Sequence, residues 1–139
     1  MIGRRLALGG TVAFLVRPAG ATPAEVTAEI AKVTGGRPPK RGQVKLDLAE
    51  MVENGNAVGV TVSAEAPPGT RVASLHLFAE GNPNPEVFHA MIGPAGVPRL
   101  ATRIRLATSQ QVVAVAVMAD GSCWTDGVTV MVTLAACLE

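Results

Sequence analysis

The sequence predicts an all-β sandwich behind a short N-terminal helix, and three observations carry that expectation. From Gln43 onward, apolar residues alternate with polar ones at period two over several short runs. Turn-forming residues, drawn from fifteen Gly and ten Pro spread along the chain, separate those runs. A chain of 139 residues, 48% hydrophobic, has room for one domain and enough apolar matter to bury a core.

Taken in order, Thr22-Pro23-Ala24-Glu25 has the form of a helix start, with Thr as N-cap, Pro at the first position and Glu in the first turn. Val26, Ile30 and Val33 keep helical spacing, and Gly35-Gly36 ends the helix. Residues 37–42 form a loop. Val44, Leu46 and Leu48 alternate with Lys45 and Asp47 as a first strand, and Asn54-Gly55 is a turn. Val58, Val60 and Val62 mark the second strand, closed by Pro67-Pro68-Gly69. Arg71 to Ala79 is the third, with Leu75 and Leu77 on one face and His76 and Phe78 on the other. Gly81 to Pro85 is a rigid turn, since two Pro restrict its backbone. Glu86 to Ile92 is the fourth strand, ended by Gly93-Pro94. Arg99 to Ala107 is the fifth, with Leu100, Thr102, Ile104 and Leu106 inward and Arg99, Ala101, Arg103 and Arg105 outward. Gln111 to Met118 is nearly all apolar, the pattern of a central strand buried on both faces. Asp120-Gly121 makes a hairpin-type turn, and Gly127 to Leu134 is the last strand. Seven short strands with turns between them fit an immunoglobulin-like sandwich.

Residues 1–21 read as something else. Arg4-Arg5 is followed by an uncharged, mostly apolar run from Leu6 to Val16, then by Ala19-Gly20-Ala21. That is the layout of a cleaved secretory signal peptide, and the arginine pair suits twin-arginine export. The run is shorter than the roughly 20 residues that span a bilayer. A buried N-terminal helix is the alternative, opposed by Gly9, Gly10 and Pro18. Removal of Arg4, Arg5 and Arg17 turns the formal charge of +1 into −2, with nine basic residues against eleven acidic ones. The expected domain is then residues 22–139 in the periplasm, with no membrane span in the mature form.

The chemistry that remains is sparse. A charge this close to balance carries no nucleic-acid footprint, and 3% aromatic residues with no Tyr leave no stacking platform. No phosphate-binding glycine loop, HExxH helix or G-x-S-x-G elbow occurs. His76 and His89 are the only histidines; neither Cys123 nor Cys137 is followed by a His as a blue-copper site requires, so both imidazoles read as strand-surface residues and no metal or other cofactor is expected. Arg99, Arg103 and Arg105 form a candidate stripe for an anion or a partner's acidic edge, with a plainly solvated sheet face as the alternative.

The two cysteines are the informative residues. Cys137 follows the last strand directly, in a position suited to an exposed, reactive thiol. A thiolate there can hold a sulfur adduct covalently and be presented inside another protein's cleft, which suits a carrier better than an enzyme. Cys123 precedes the last strand. Eight extended residues span about 26 Å, so a Cys123–Cys137 disulfide is out of reach and Cys123 is expected to be a packed or semi-exposed structural thiol.

Several blocks occur in an order that resembles the SoxY family, the sulfur carriers of periplasmic thiosulfate oxidation. They are Gly42 to Leu48 (GQVKLDL), Ala49 to Asn56 (AEMVENGN), His76 to Glu80 (HLFAE) with Asn82 to Pro85 (NPNP), Thr102 to Thr108 (TRIRLAT), and Val113 to Ser122 (VAVAVMADGS). The resemblance implies an immunoglobulin-like sandwich with an N-terminal helical segment, a twin-arginine signal, and a heterodimer with a SoxZ-like sandwich protein. It implies that Cys137 is conjugated to thiosulfate by a SoxAX-like haem enzyme, then serviced by SoxB-like and SoxCD-like enzymes, the carrier itself catalysing nothing. The chain departs from the family at its end. Where the family has Gly-Gly-Cys-Gly-Gly, this sequence reads Ala135-Ala136-Cys137-Leu138-Glu139. Alanine stays slender but less flexible than glycine, Leu138 is bulkier, and Glu139 repels a dianion. Two other functions therefore stand beside the thiosulfate carrier: a SoxY-like module that binds a partner and carries nothing, and a carrier for another electrophile.

Overall fold

A computed structural model describes residues 22–134. The expected export segment, residues 1–21, and the chain end containing Cys137 lie outside those residues.

Helix α1 (Pro23–Thr34) forms as its cap residues dictate. The Glu25 N–H donates to Thr22 Oγ1 at 3.2 Å, and the Thr22 N–H donates back to the Glu25 carboxylate at 3.3 Å. Gly35 stops the helix in the left-handed region, φ 65°, which glycine adopts without strain. The strands are β1 (Lys40–Arg41), β2 (Val44–Asp47), β3 (Met51–Asn54), β4 (Val58–Ala64), β5 (Val72–Ala79), β6 (Glu86–Met91), β7 (Arg99–Ile104), β8 (Gln110–Met118) and β9 (Cys123–Leu134). They build two sheets, one in the order β1-β9-β8-β5-β6 with β3 also on β9, the other β2-β4-β7.

The all-β sandwich with its leading helix is therefore present, with nine strands among the described residues where the alternation predicts seven. The two additions, β1 and β3, both run parallel to β9, one at Trp124–Thr125 and the other at Met131–Leu134. Neither has a pattern to read: both β1 residues are exposed, and β3 buries only Val52. Strand β9 begins at Cys123, four residues before the expected Gly127, because its first half pairs with β8 from Val117↔Cys123 onward. Asp126 sits within it as an anchor, its carboxylate accepting from the Leu46 N–H of the opposite sheet at 2.9 Å. Strand β7 ends at Ile104 rather than at Ala107.

The inner faces meet in one core. Leu75, Leu77, Val112, Ala114 and Val130 of the larger sheet and Val62 of the smaller are fully buried. The other face of the larger sheet is covered by α1, whose Val26, Ile30 and Val33 pack with Phe78 and Val115. Strands β5 and β8 are thus buried on both faces, as the apolar run of β8 predicts.

A buried polar cluster explains the early end of β7. Asn82 Nδ2 donates to the Arg105 carbonyl, and Asn82 Oδ1 accepts from the Ala107 N–H and from Gln110 Nε2. Gln110 Oε1 in turn accepts from the Gly81 N–H at 2.8 Å. These bonds pull residues 105–108 out of the sheet and tie them to the turn after β5. The fit is close at Gly81, where an added Cβ would lie 2.7 Å from Thr108 Cγ2. With Asn82 and Gln110 both buried, the cluster holds this end of the sandwich rigid.

Candidate functional site

The site is the end of the domain from which the chain leaves toward Cys137. Strand β9 is held there on both sides. Met131, Val132 and Leu134 pair with Met51, Val52 and Asn54 of β3. The Gly55 N–H donates to the Leu134 carbonyl at 2.8 Å, the Val132 N–H to Ser109 Oγ at 2.8 Å, and Thr133 Oγ1 to the Glu53 carbonyl at 3.1 Å. The strand is therefore fixed as far as Leu134, and Cys137 stands three residues further on. Three residues reach about 10 Å at most. A thiol on so short a tether stays near this end of the sandwich.

The three arginines are divided by the structure. Arg99 and Arg103 point outward from β7, opposite Ser63 and Gly59 of β4, and both are exposed. Arg99 shares its row with Lys45 through Ser63, at the end of β7 away from the tail. Arg103 borders a shallow depression of about 460 Å³ whose floor is small, with Gly59, Thr61 and Ala101. Arg105, exposed and just past the strand, lies nearest the tail: the Leu106 N–H donates to the Gly55 carbonyl at 2.9 Å, and Gly55 bonds Leu134. Five residues of extended chain, roughly 17 Å, separate Arg99 from Ile104, so the stripe does not act at one point. The inward position Thr102, opposite Val60, is exposed because β7 is a sheet edge.

Cys123 is a buried free thiol, 6% exposed. Its Sγ–H donates to the Gly121 carbonyl at 3.4 Å. Burial pushes the thiol up from its ordinary value, Arg37 pulls the other way, and the nearby Asp120 adds to the rise. Both features make it a poor nucleophile. As the first residue of β9, Cys123 lies about 36 Å along the strand from Leu134. The tether beyond Leu134 recovers about 10 Å of that, so an intramolecular bond to Cys137 cannot form.

The histidines correct one expectation. His89 is exposed, but His76 is buried, 8% exposed, and is no surface residue. It lies on the face that α1 covers, beside Val115 on one neighbouring strand and His89 on the other. Its ring stacks near those of Phe78 and His89, at centroid distances of 6.3 and 6.0 Å. His76 Nε2 bonds Ser74 Oγ at 2.8 Å, while Nδ1 has no partner. Burial holds the imidazole below its ordinary range; the Glu86 carboxylate opposes this and His89 reinforces it. The unfolded chain then takes up a proton below about pH 6.5 while the folded chain resists. Stability should be constant with respect to His76 above that pH and fall as the pH drops, by up to about 1.4 kcal/mol per unit until the folded value is reached. Urea unfolding of wild type and His76→Gln between pH 7.5 and 5 checks this: the variant should lose part of the slope, and identical slopes would refute it.

Among the described residues, no three His, Cys, Asp or Glu side chains converge as a metal-holding group. No helix among them is long and apolar enough to cross a membrane.

Comparison with known proteins bears on the family and the fold. The chain matches the family model "Sulfur oxidation protein SoxY" over residues 30–137, a span that ends on Cys137. None of the curated proteins matches it. Among solved structures it is similar to the sulfur carrier protein SoxY from Chlorobium limicola f thiosulfatophilum, with a TM-score of 0.67 and 25% identity over 80% of this chain and 98% of that one. A superoxide reductase (neelaredoxin) from Ignicoccus hospitalis has a TM-score of 0.57 and 18% identity, covering 80% of this chain and 92% of its own. A superoxide reductase-like protein from Thermotoga maritima has a TM-score of 0.55 and 16% identity, over 64% and 84%. The last two share the fold alone. The family match across most of the chain, together with the fold shared with the SoxY structure, shows that this protein belongs to the SoxY family of sulfur oxidation proteins.

Proposed function

We propose that this chain is a covalent carrier of sulfur intermediates in thiosulfate oxidation, with Cys137 as the attachment point. The observation that carries the reading is the position of Cys137, within the family match and three residues beyond a strand held on both sides. A rigid domain delivers a short tether, and the tether delivers a thiol.

In the loading step, the Cys137 S–H bond breaks and an S–S bond forms to the outer sulfur of thiosulfate. The product is Cys–S–S–SO₃⁻, with release of one proton and two electrons. The electrons pass to the haem of a SoxAX-like conjugating enzyme. Water then attacks the sulfonate sulfur at a SoxB-like enzyme, giving sulfate, a cysteine persulfide (Cys–S–SH) and one proton. A SoxCD-like enzyme oxidises what remains where it is present. Every step takes place in a partner's active site, so the carrier needs no cofactor and is not an enzyme. Export to the periplasm through residues 1–21, and pairing with a SoxZ-like protein, belong to the same reading. Arg105, beside the tail's exit, and Arg103 are the candidate contacts for the adduct's sulfonate, and Arg99, at the far end of the strand, is the candidate contact for a partner's acidic edge.

The test is intact mass. The processed protein with its SoxZ-like partner is incubated with thiosulfate, the conjugating haem enzyme and an electron acceptor. One thiosulfate-derived S–SO₃⁻ per chain is expected. A wild-type chain that never gains it would leave a partner-binding module as the better account of the Ala135-Ala136-Cys137-Leu138-Glu139 ending.

A further inference from the structure

The tail leaves the domain beside an exposed apolar pair. Met51 and Met131 are direct partners on parallel strands β3 and β9, and they are 72% and 57% exposed. Leu134, the last described residue, is 61% exposed. Adjacent strands lie about 4.8 Å apart, so the two thioethers form one soft patch at the root of the tether. Glu50 and Glu53 flank Met51, both exposed and without an ion-pair partner among the described residues.

We infer that this patch is the docking surface for the enzymes that act on Cys137, and that each of them presents an apolar rim with basic side chains around its mouth. The inference rests on the carrier reading above. Length is the first argument. With a reach of about 10 Å from Leu134, a protein that encloses Cys137 comes down beside Leu134, and Met131, paired with Met51, lies three residues back along the same strand. Chemistry is the second. Methionine is unbranched and polarizable, and it adapts to different partner shapes, which suits one surface serving several enzymes in turn. Charge is the third. A mouth that admits a sulfonate-bearing adduct is favoured by positive charge, and Glu50 and Glu53 complement such a rim.

Two double variants test it, Met51→Glu with Met131→Glu and Glu50→Lys with Glu53→Lys, each assayed as the complex with the SoxZ-like partner. All four positions are exposed, so folding is expected to be retained. The probe is thiosulfate with the conjugating enzyme used above. The methionine variant should lose about tenfold or more in kcat/KM for adduct formation, and the charge variant should lose its rate most at low salt. Alkylation of Cys137 by iodoacetamide should stay within about twofold of wild type, since a small reagent needs no docking. Normal conjugation of both variants overturns the inference alone, whether or not the patch turns out to join two copies of this chain. No adduct on the wild-type protein overturns the carrier reading, and this inference with it.

Discussion

Leu77→Ala should lower the unfolding free energy by about 3 kcal/mol and the midpoint of thermal unfolding by roughly 10–15 °C. Leu77 has no exposed surface and lies on the inner face of β5, between Phe88 of β6 and Ala114 of β8. The core it joins contains residues of both sheets, with Val60 and Val62 of β4 among them. Truncation removes most of the side chain and leaves a cavity that a sheet held on both sides cannot collapse into. Lys45→Ala, on the outer face of β2, should stay within about 0.5 kcal/mol. Urea titration of both variants measures this. A loss below about 1 kcal/mol at Leu77 would mean that the two sheets are not packed as described.

Cys137→Ser should abolish carriage outright, while Cys123→Ala should load normally and cost only about 1 kcal/mol in stability. The contrast follows from position. Cys123 is covered, bonded to the Gly121 carbonyl and held protonated by burial. A serine hydroxyl at position 137 cannot replace the thiol, because its proton is far harder to remove and it forms no S–S bond. Cys137 should also react with alkylating reagents about a hundredfold faster than Cys123, and the two rates are separable on the single-cysteine variants. Equal loading of Cys137→Ser and wild type would remove Cys137 from the account.

Much of this was legible in the residues, and the failures have physical causes. The capping box of α1 is local chemistry within four residues and reads directly from Thr22 to Glu25. Strands β4, β5 and β8 announce themselves through runs of valine, leucine and alanine that the core requires. Strands β1 and β3 do not, because they are short edge pieces that exist only through pairing with β9. Their partner lies some eighty residues away in the chain, beyond the reach of any local pattern. His76 departs from the strand-surface expectation for a similar reason: period two puts it on the far side from Leu75 and Leu77, and only the docking of α1 makes that far side a second interior. The outward arginines of β7 continue through the exposed Arg105, beside the buried Leu106, although the strand itself ends at Ile104, where Asn82 and Gln110 take over the backbone.

The candidate site divides the same way. Cys137 stands out in the sequence by chemistry and position, whereas the Met51–Met131 pair has no signal until β3 is laid against β9.

Carriage of sulfur on Cys137 is checked at the residue itself by weighing proteolytic fragments of the thiosulfate-loaded protein without reduction. The S–SO₃⁻ mass is expected on the fragment that contains Cys137, with an unmodified thiol on the fragment that contains Cys123. An adduct on Cys123, or none on either cysteine after full exposure to the conjugating enzyme, would contradict it.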